Sequence, residues 1–176
     1  VLLGDSDLGH FEDKALEESF KSVSTRVKKV LDTRDLLDDL RSEYIDLFDR
    51  GRQVNSLYET EYGRERAMFK ANELVDIAGF YRAFGFETGV DGVKPEMLDH
   101  VAVELEFYAL LLLKCQILEE SEDAEGLEIV MDARKKFLKG HLSRFVGSIC
   151  TRPGVEDSPY FSAVFLAFNA TDKIFN

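Results

Sequence analysis

The sequence predicts an all-α fold: a single-domain helical bundle of about six to eight helices over residues 1–176. Three observations carry that expectation. Apolar residues recur at steps of three and four along most of the chain, which puts them on one face of a helix. No segment alternates apolar and polar residues between two turn signals, as a half-buried strand would. Only 3 prolines occur in 176 residues, so few helices are interrupted. A chain of this length buries roughly 70 % of its unfolded surface, and its core needs neither disulfide nor metal.

The elements follow in order. Leu16, Phe20, Val23, Val27 and Val30 form a first apolar stripe. Thr33 suits an N-cap, with Asp35 in the first turn behind it. Leu36, Leu40, Tyr44, Leu47 and Phe48 make the second stripe, which ends at Gly51. Residues 52–63 read as a connection. A third stripe, Ala67, Ala71, Leu74, Ala78 and Tyr81, stops at Gly85. Three glycines and Pro95 crowd into residues 84–95 and mark a loop. The next helix is expected from about Glu96 to Glu119, on the stripe Leu98, Val101, Ala102, Leu105, Tyr108, Ala109 and Leu112. The acidic tract EESEDAEG contains a helix start. Leu127, Val130, Met131, Arg134, Phe137 and Leu138 continue through Leu142, Phe145 and Ile149, with Gly140 as a bend. TRPGVEDSP, residues 151–159, is a second loop, and residues 160–175 read as a last helix.

Composition narrows the function. A formal charge of −12, from 22 basic against 34 acidic residues, repels phosphate backbones and suits basic ligands, peptides included. Cys115 and Cys150 form no CxxC pair; they read as reduced thiols, in keeping with a cytoplasmic chain. The opening residues VLLGDSDLGH meet Asp5 and Asp7 too soon for a signal-peptide core. The apolar run at 107–113 falls far short of the roughly 20 residues that cross a bilayer.

His100 and Glu104 are four residues apart, on one side of a helix. Metal sites use such pairs, and Asp99 and His141 could join them, but HExxH is absent. The plain structural reading is that His100 and Glu104 cap or brace the helix start. No GxSxG surrounds a serine, and Cys115 falls on an apolar helix. Gly85, Gly89 and Gly92 lack the GK[ST] of a phosphate loop and suit a helix connection. In NSLYETEYG, Tyr58, Glu59 and Tyr62 fit either a contact surface or tyrosines tucked over the core edge.

Five blocks then stand in order: EYIDLF (43–48), LYETEYG (57–63), GFYRAFGF (79–86), LDHVAVELEF (98–107) and KKFLKGHLSRF (135–145). From residue 44 onward the chain resembles the TorD/DmsD/NarJ-type redox-enzyme maturation chaperones. The resemblance implies a cytoplasmic, all-helical chaperone rather than an enzyme, with no cofactor of its own. Its partners would be an apo molybdopterin oxidoreductase catalytic subunit and that subunit's twin-arginine leader peptide, with export delayed until the client has folded. It would be a monomer or a domain-swapped dimer. The implied peptide site includes Asp99 and His100; Tyr44, Leu47 and Phe48; and Tyr58, Glu59 and Tyr62. Glu104, a carboxylate able to pair with guanidinium, and His141 in the fifth block complete the candidate client-binding set. Met97 stands where members often have proline, and Phe145 where tryptophan is usual. Two other readings stay open: a metal-dependent helical hydrolase using the Asp99–His100 region, and a plain helical interaction domain.

Overall fold

The computed structural model describes residues 21, 25, 34–50, 54–62, 66–88, 97–155 and 158. The expected first helix lies almost wholly outside these residues, as do Thr33, Gly51 and the expected helix at 160–175. The described chain is all-α, with one isolated antiparallel bridge, Tyr58 with His100.

Helix α1, Arg34–Tyr44, runs on into a π-helical turn, Ile45–Arg50. The wider turn brings Phe48 into the core while Tyr44 and Leu47 remain half-buried. A strap, residues 54–62, follows and contains a 3-10 turn, Glu59–Glu61. Helix α2, Arg66–Ala83, ends in the left-handed Gly85 (φ 67°). That conformation lets the Phe86 N–H reach back to the Tyr81 carbonyl at 2.8 Å, the Schellman closure, and turns Phe86 onto the core.

Helix α3, Val101–Glu120, begins five residues later than the sequence suggests. Asp99 and His100 are drawn out of the helix because the strap pairs with them. The Glu59 N–H donates to the Asp99 carbonyl at 2.8 Å, and the Val101 N–H to the Leu57 carbonyl at 2.9 Å. His100 becomes the N-cap, its Nδ1 accepting from the Ala102 N–H at 3.2 Å, as the plain reading of His100 expects.

The buried face of α3 also differs from the expected stripe. Val101, Val103, Glu104, Phe107, Tyr108, Leu111 and Cys115 are buried. Ala102 and Ala109 are exposed, and Leu105 and Leu112 only half-buried. The cause is that α3 is apolar nearly all round, so periodicity cannot choose its inner face; the neighbouring helices do. In α2, similarly, Ile77 and Tyr81 are buried while Ala71 is exposed.

Helix α4, Ala124–Phe137, packs back along α3. Its N-cap Asp123 accepts from the Gly126 N–H at 2.9 Å. A π-helical turn, Leu138–Leu142, holds the expected bend at Gly140 and leads into α5, Ser143–Cys150. Phe137, Leu138, His141, Leu142, Phe145, Val146 and Ile149 all face inward along this line.

The centre of the core is a ring cluster. Phe107 and Phe137 are fully buried with centroids 4.8 Å apart, and Tyr81 stands 4.8 Å from Phe107. Phe80 and Phe86 close the cluster from α2 and the turn after it. Edge-to-face contacts of this kind add to the burial of ring surface. The Tyr81 hydroxyl donates to the Leu98 carbonyl at 2.8 Å and so ties the core to the turn before α3.

Candidate functional site

A polar centre sits next to this aromatic core, assembled from four separate segments. Glu59, from the strap, is at its hub and is 1 % exposed. One of its oxygens accepts from Arg144 of α5 at 2.7 Å; the other lies 2.9 Å from His141 Nδ1. His141 Nε2 is 3.2 Å from Asp76 of α2, and Arg144 also donates to Glu73 at 2.8 Å. Glu73 and Asp76 are three residues apart on α2, and His141 and Arg144 three apart across the π turn, so each pair shares one helical face.

Both ring nitrogens of His141 meet carboxyl oxygens, an arrangement that only the imidazolium satisfies with two donors. Burial pulls its pKa down, but the hydrogen bonds and charges of Glu59 and Asp76 outweigh burial and the net shift is upward.

Asp99 holds the strap. Its Oδ2 accepts from the Thr60 hydroxyl at 2.5 Å and from the Thr60 N–H at 3.3 Å. The sequence puts Asp99 within reach of a peptide, whereas the structure leaves it 1 % exposed. The strap that pairs with residues 99–101 is what covers it.

Glu104 is the most unusual member. It is fully buried, and neither of its oxygens accepts from an N–H or O–H among the described residues. Desolvation, then the charges of Glu59 and Asp99, push its carboxyl up to about 10. A hydrogen bond between Glu104 and Glu59 needs a proton on one of them, and because both Glu59 oxygens already face the nitrogens of His141 and Arg144, Glu104 is the one that carries it at pH 7. Asp99 Oδ1 is likewise buried without a donor among the described residues.

The remaining candidates lie around the strap. Tyr58 is half-buried with its ring edge-on to His100, centroids 5.1 Å apart. Tyr62 is tucked in: its hydroxyl donates to the Ser56 carbonyl, its ring leans on Phe145 at 5.5 Å, and Arg152 lies 5.0 Å over it. Of the two readings open for the tyrosines, the core-edge one describes Tyr62. The EYIDLF block meets the turn after α5. Leu47 packs where a side chain on Gly154 would meet it at 3.1 Å, and the neighbouring Pro153 carbonyl accepts from Asn55 of the strap at 3.4 Å. Tyr44 stacks at 5.3 Å on buried Phe48.

The ten candidates therefore divide. Tyr44, Leu47, Tyr58 and His100 keep part of their surface in solvent, whereas Phe48, Glu59, Tyr62, Asp99, Glu104 and His141 are buried. Thr60, Glu73, Asp76 and Arg144, which bind the centre together, were not singled out by sequence. The signal that could have found three of them is the matched spacing: two acids at i, i+3 on one helix and a His and an Arg at i, i+3 on another.

Among the described residues no group of three or more His, Cys, Asp or Glu side chains could hold a metal ion. Cys115 is buried and Cys150 half-buried, both as free thiols pushed up by burial. No helix of the described residues is long and apolar enough to cross a membrane.

No curated protein and no solved structure matches the chain significantly. The family described as nitrate reductase delta subunit matches residues 13–151, most of the chain and all five sequence blocks. With an all-helical chain and a match of that extent, the protein belongs to the nitrate reductase delta subunit family, whose members are chaperones of molybdoenzyme maturation.

Proposed function

We propose that this chaperone holds an apo molybdopterin oxidoreductase catalytic subunit by its N-terminal leader, a twin-arginine peptide or a relic of one, while the cofactor is inserted. Engagement delays any export until the client has folded. The leader meets the half-buried side chains Tyr58 and His100 at the strap, with Tyr44 and Leu47 of the EYIDLF block. An apolar helix-prone segment suits this half-buried aromatic and aliphatic surface. A basic pair suits the carboxyls beneath it. The buried members, Asp99, Glu59, Tyr62 and His141, position the strap that carries Tyr58; Phe48 does the same for Tyr44. The protein works in the cytoplasm, as a monomer or domain-swapped dimer, and turns over no substrate.

The observation that carries this reading is the strap-to-helix pairing, the antiparallel bridge of Tyr58 with His100, which joins two of the family-like blocks into one surface. The test is calorimetry with a synthetic leader, an arginine pair followed by a ten-residue apolar stretch. The parent protein should bind it, and a Tyr58→Ala, His100→Ala double variant should bind at least about tenfold more weakly while melting as a folded protein; one tenfold step is about 1.4 kcal/mol. Absence of affinity for any leader, together with failure to co-purify an oxidoreductase subunit from the native host, would leave a plain helical interaction domain.

A further inference from the structure

The turn that follows α5 closes against the strap, and the closure is polar and unfinished. Asn55 of the strap donates from Nδ2 to the Pro153 carbonyl at 3.4 Å. Asn55 is 5 % exposed, and its Oδ1 accepts from no donor among the described residues. Next to Pro153, Arg152 lays its guanidinium over the Tyr62 ring, 5.0 Å from the centroid, and the Tyr62 hydroxyl is anchored on the Ser56 carbonyl. The Arg152 Nε–H is buried with no acceptor among the described residues, whereas its Nη groups, on a half-buried side chain, keep contact with solvent. The backbone behind it is fixed. The Arg152 N–H donates to the Ile149 carbonyl at 3.0 Å, the Val155 N–H to the Arg152 carbonyl at 3.1 Å, and Gly154 turns the chain at φ 79°. With an aromatic ring under it and a closed turn behind it, the planar guanidinium is oriented before anything binds.

Arg152 differs from other arginines of the chain. Arg41, Arg50 and Arg144 meet an aspartate or glutamate at 3.4, 2.7 and 2.7 Å. Arg152 meets none among the described residues, in a chain with 34 acidic residues against 22 basic ones. The Tyr62 ring satisfies the face of the guanidinium but none of its N–H groups, and donors partly withdrawn from water gain most from an acceptor.

We propose that the outer edge of Arg152 is a carboxylate-docking site for a partner chain, taking one aspartate or glutamate side chain by paired, parallel N–H···O bonds. Charge selects the partner. A formal −12 opposes phosphate groups and strongly acidic segments. A single carboxylate on an otherwise neutral or basic segment meets no such opposition. Fixing the guanidinium from outside also steadies its inward edge, where the Nε–H and Asn55 Oδ1 are the unused donor and the unused acceptor of one junction. Leu47 packs against Gly154 of the same turn, so the docked chain borders the EYIDLF block. Recognition here is independent of the leader, which offers a basic pair and not an acid.

The experiment is NMR on the full chain, following the Arg152 Nε–H resonance, which is identified by through-bond correlation to the Arg152 backbone. The probes are a short peptide with one aspartate between two lysines and the same peptide with asparagine in its place. The aspartate peptide should shift the Arg152 resonance to saturation, and the asparagine peptide should bind at least about tenfold more weakly. Arg152→Lys keeps the charge and loses the planar fork; its affinity for the aspartate peptide, read at the Gly154 and Val155 amides, should fall at least about tenfold. Equal shifts from the two peptides, or shifts at Arg41 and Arg82 as large as that at Arg152, would mean attraction between charges without a site and overturn the proposal. An Arg152 resonance that neither peptide moves overturns it too. If Arg152→Lys does not fold, the contrast between the two peptides on the parent decides alone. Binding of the arginine-pair leader is a separate measurement, so failure of either reading leaves the other standing.

Discussion

Helix α3 serves two regions that obey different rules. Around Phe107 the packing is apolar and complete: Phe137, Tyr81, Phe80 and Phe86 surround one fully buried ring. One turn earlier, around Glu104, the surroundings are polar and incomplete, with a neutral acid beside Glu59 and with oxygens that no donor among the described residues reaches. The first region is what stability alone would select. The second carries a standing penalty, and penalties of this kind concentrate where a protein binds something. The same helix thus anchors the fold at its middle and exposes a cost at its start, three residues away.

The sharpest way to break the aromatic side is Phe107→Ala. Removing a fully buried ring at the centre of the cluster should destabilise the fold by about 3–5 kcal/mol, read as a fall in the urea midpoint with an unchanged slope. A midpoint like that of the parent would show that the cluster is loosely packed.

The polar side should respond with the opposite sign. The Glu104 pKa is raised from 4.5 to about 10 on folding, so its contribution is complete below pH 4.5 and is lost progressively as pH rises towards 10. At pH 7 the loss is of the order of 3 kcal/mol, and Glu104→Gln should recover much of it. The variant and the parent should unfold together near pH 4 and separate as pH rises; a constant gap across pH would remove Glu104 as the cause. His141 works in the same direction over a narrower window. Its raised pKa gives stability that is fully present below about 6.5 and is lost as pH rises through the folded value. Denaturation curves of Glu104→Gln should retain this loss of stability as pH rises above about 6.5.

Leu105 tests the boundary between the regions with the smallest effect. The sequence stripe places it in the core, but it is half-buried, and Leu105→Ala should cost only about 1–2 kcal/mol, roughly half of what a buried leucine would. A loss as large as that of Phe107→Ala would mean that the sequence stripe, and not the observed face, marks the core.

These contrasts follow how much could be read from the chain. The helices between 34 and 150 were legible because a helix writes its buried face at steps of three and four. The inward line Val130, Arg134, Phe137, Leu138, Leu142, Phe145 and Ile149 appears as the sequence implies, with Gly140 inside the π turn, whereas Met131 of the same expected stripe is exposed and Leu127 only half-buried. In α3 the same rule chose Ala102, Ala109 and Leu105, because a helix apolar on every side writes no face. Within the candidate site, Asp99, His100 and the strap tyrosines were legible as blocks, but their burial was not. Thr60 meets Asp99 across 39 residues, His141 meets Glu59 across 82 and Arg144 meets Glu59 across 85. No local pattern encodes contacts at those separations.

By itself, then, the sequence determined the helical character of the described chain, the acidic character and the family blocks, because each is a property of neighbours along the chain or of their sum. Only the tertiary structure decided which side of α3 faces inward, which carboxyl is left without a donor among the described residues, and that a strap closes over Asp99. Those outcomes depend on side chains brought together from distant segments, and on the loss of water that gives a buried charge its cost.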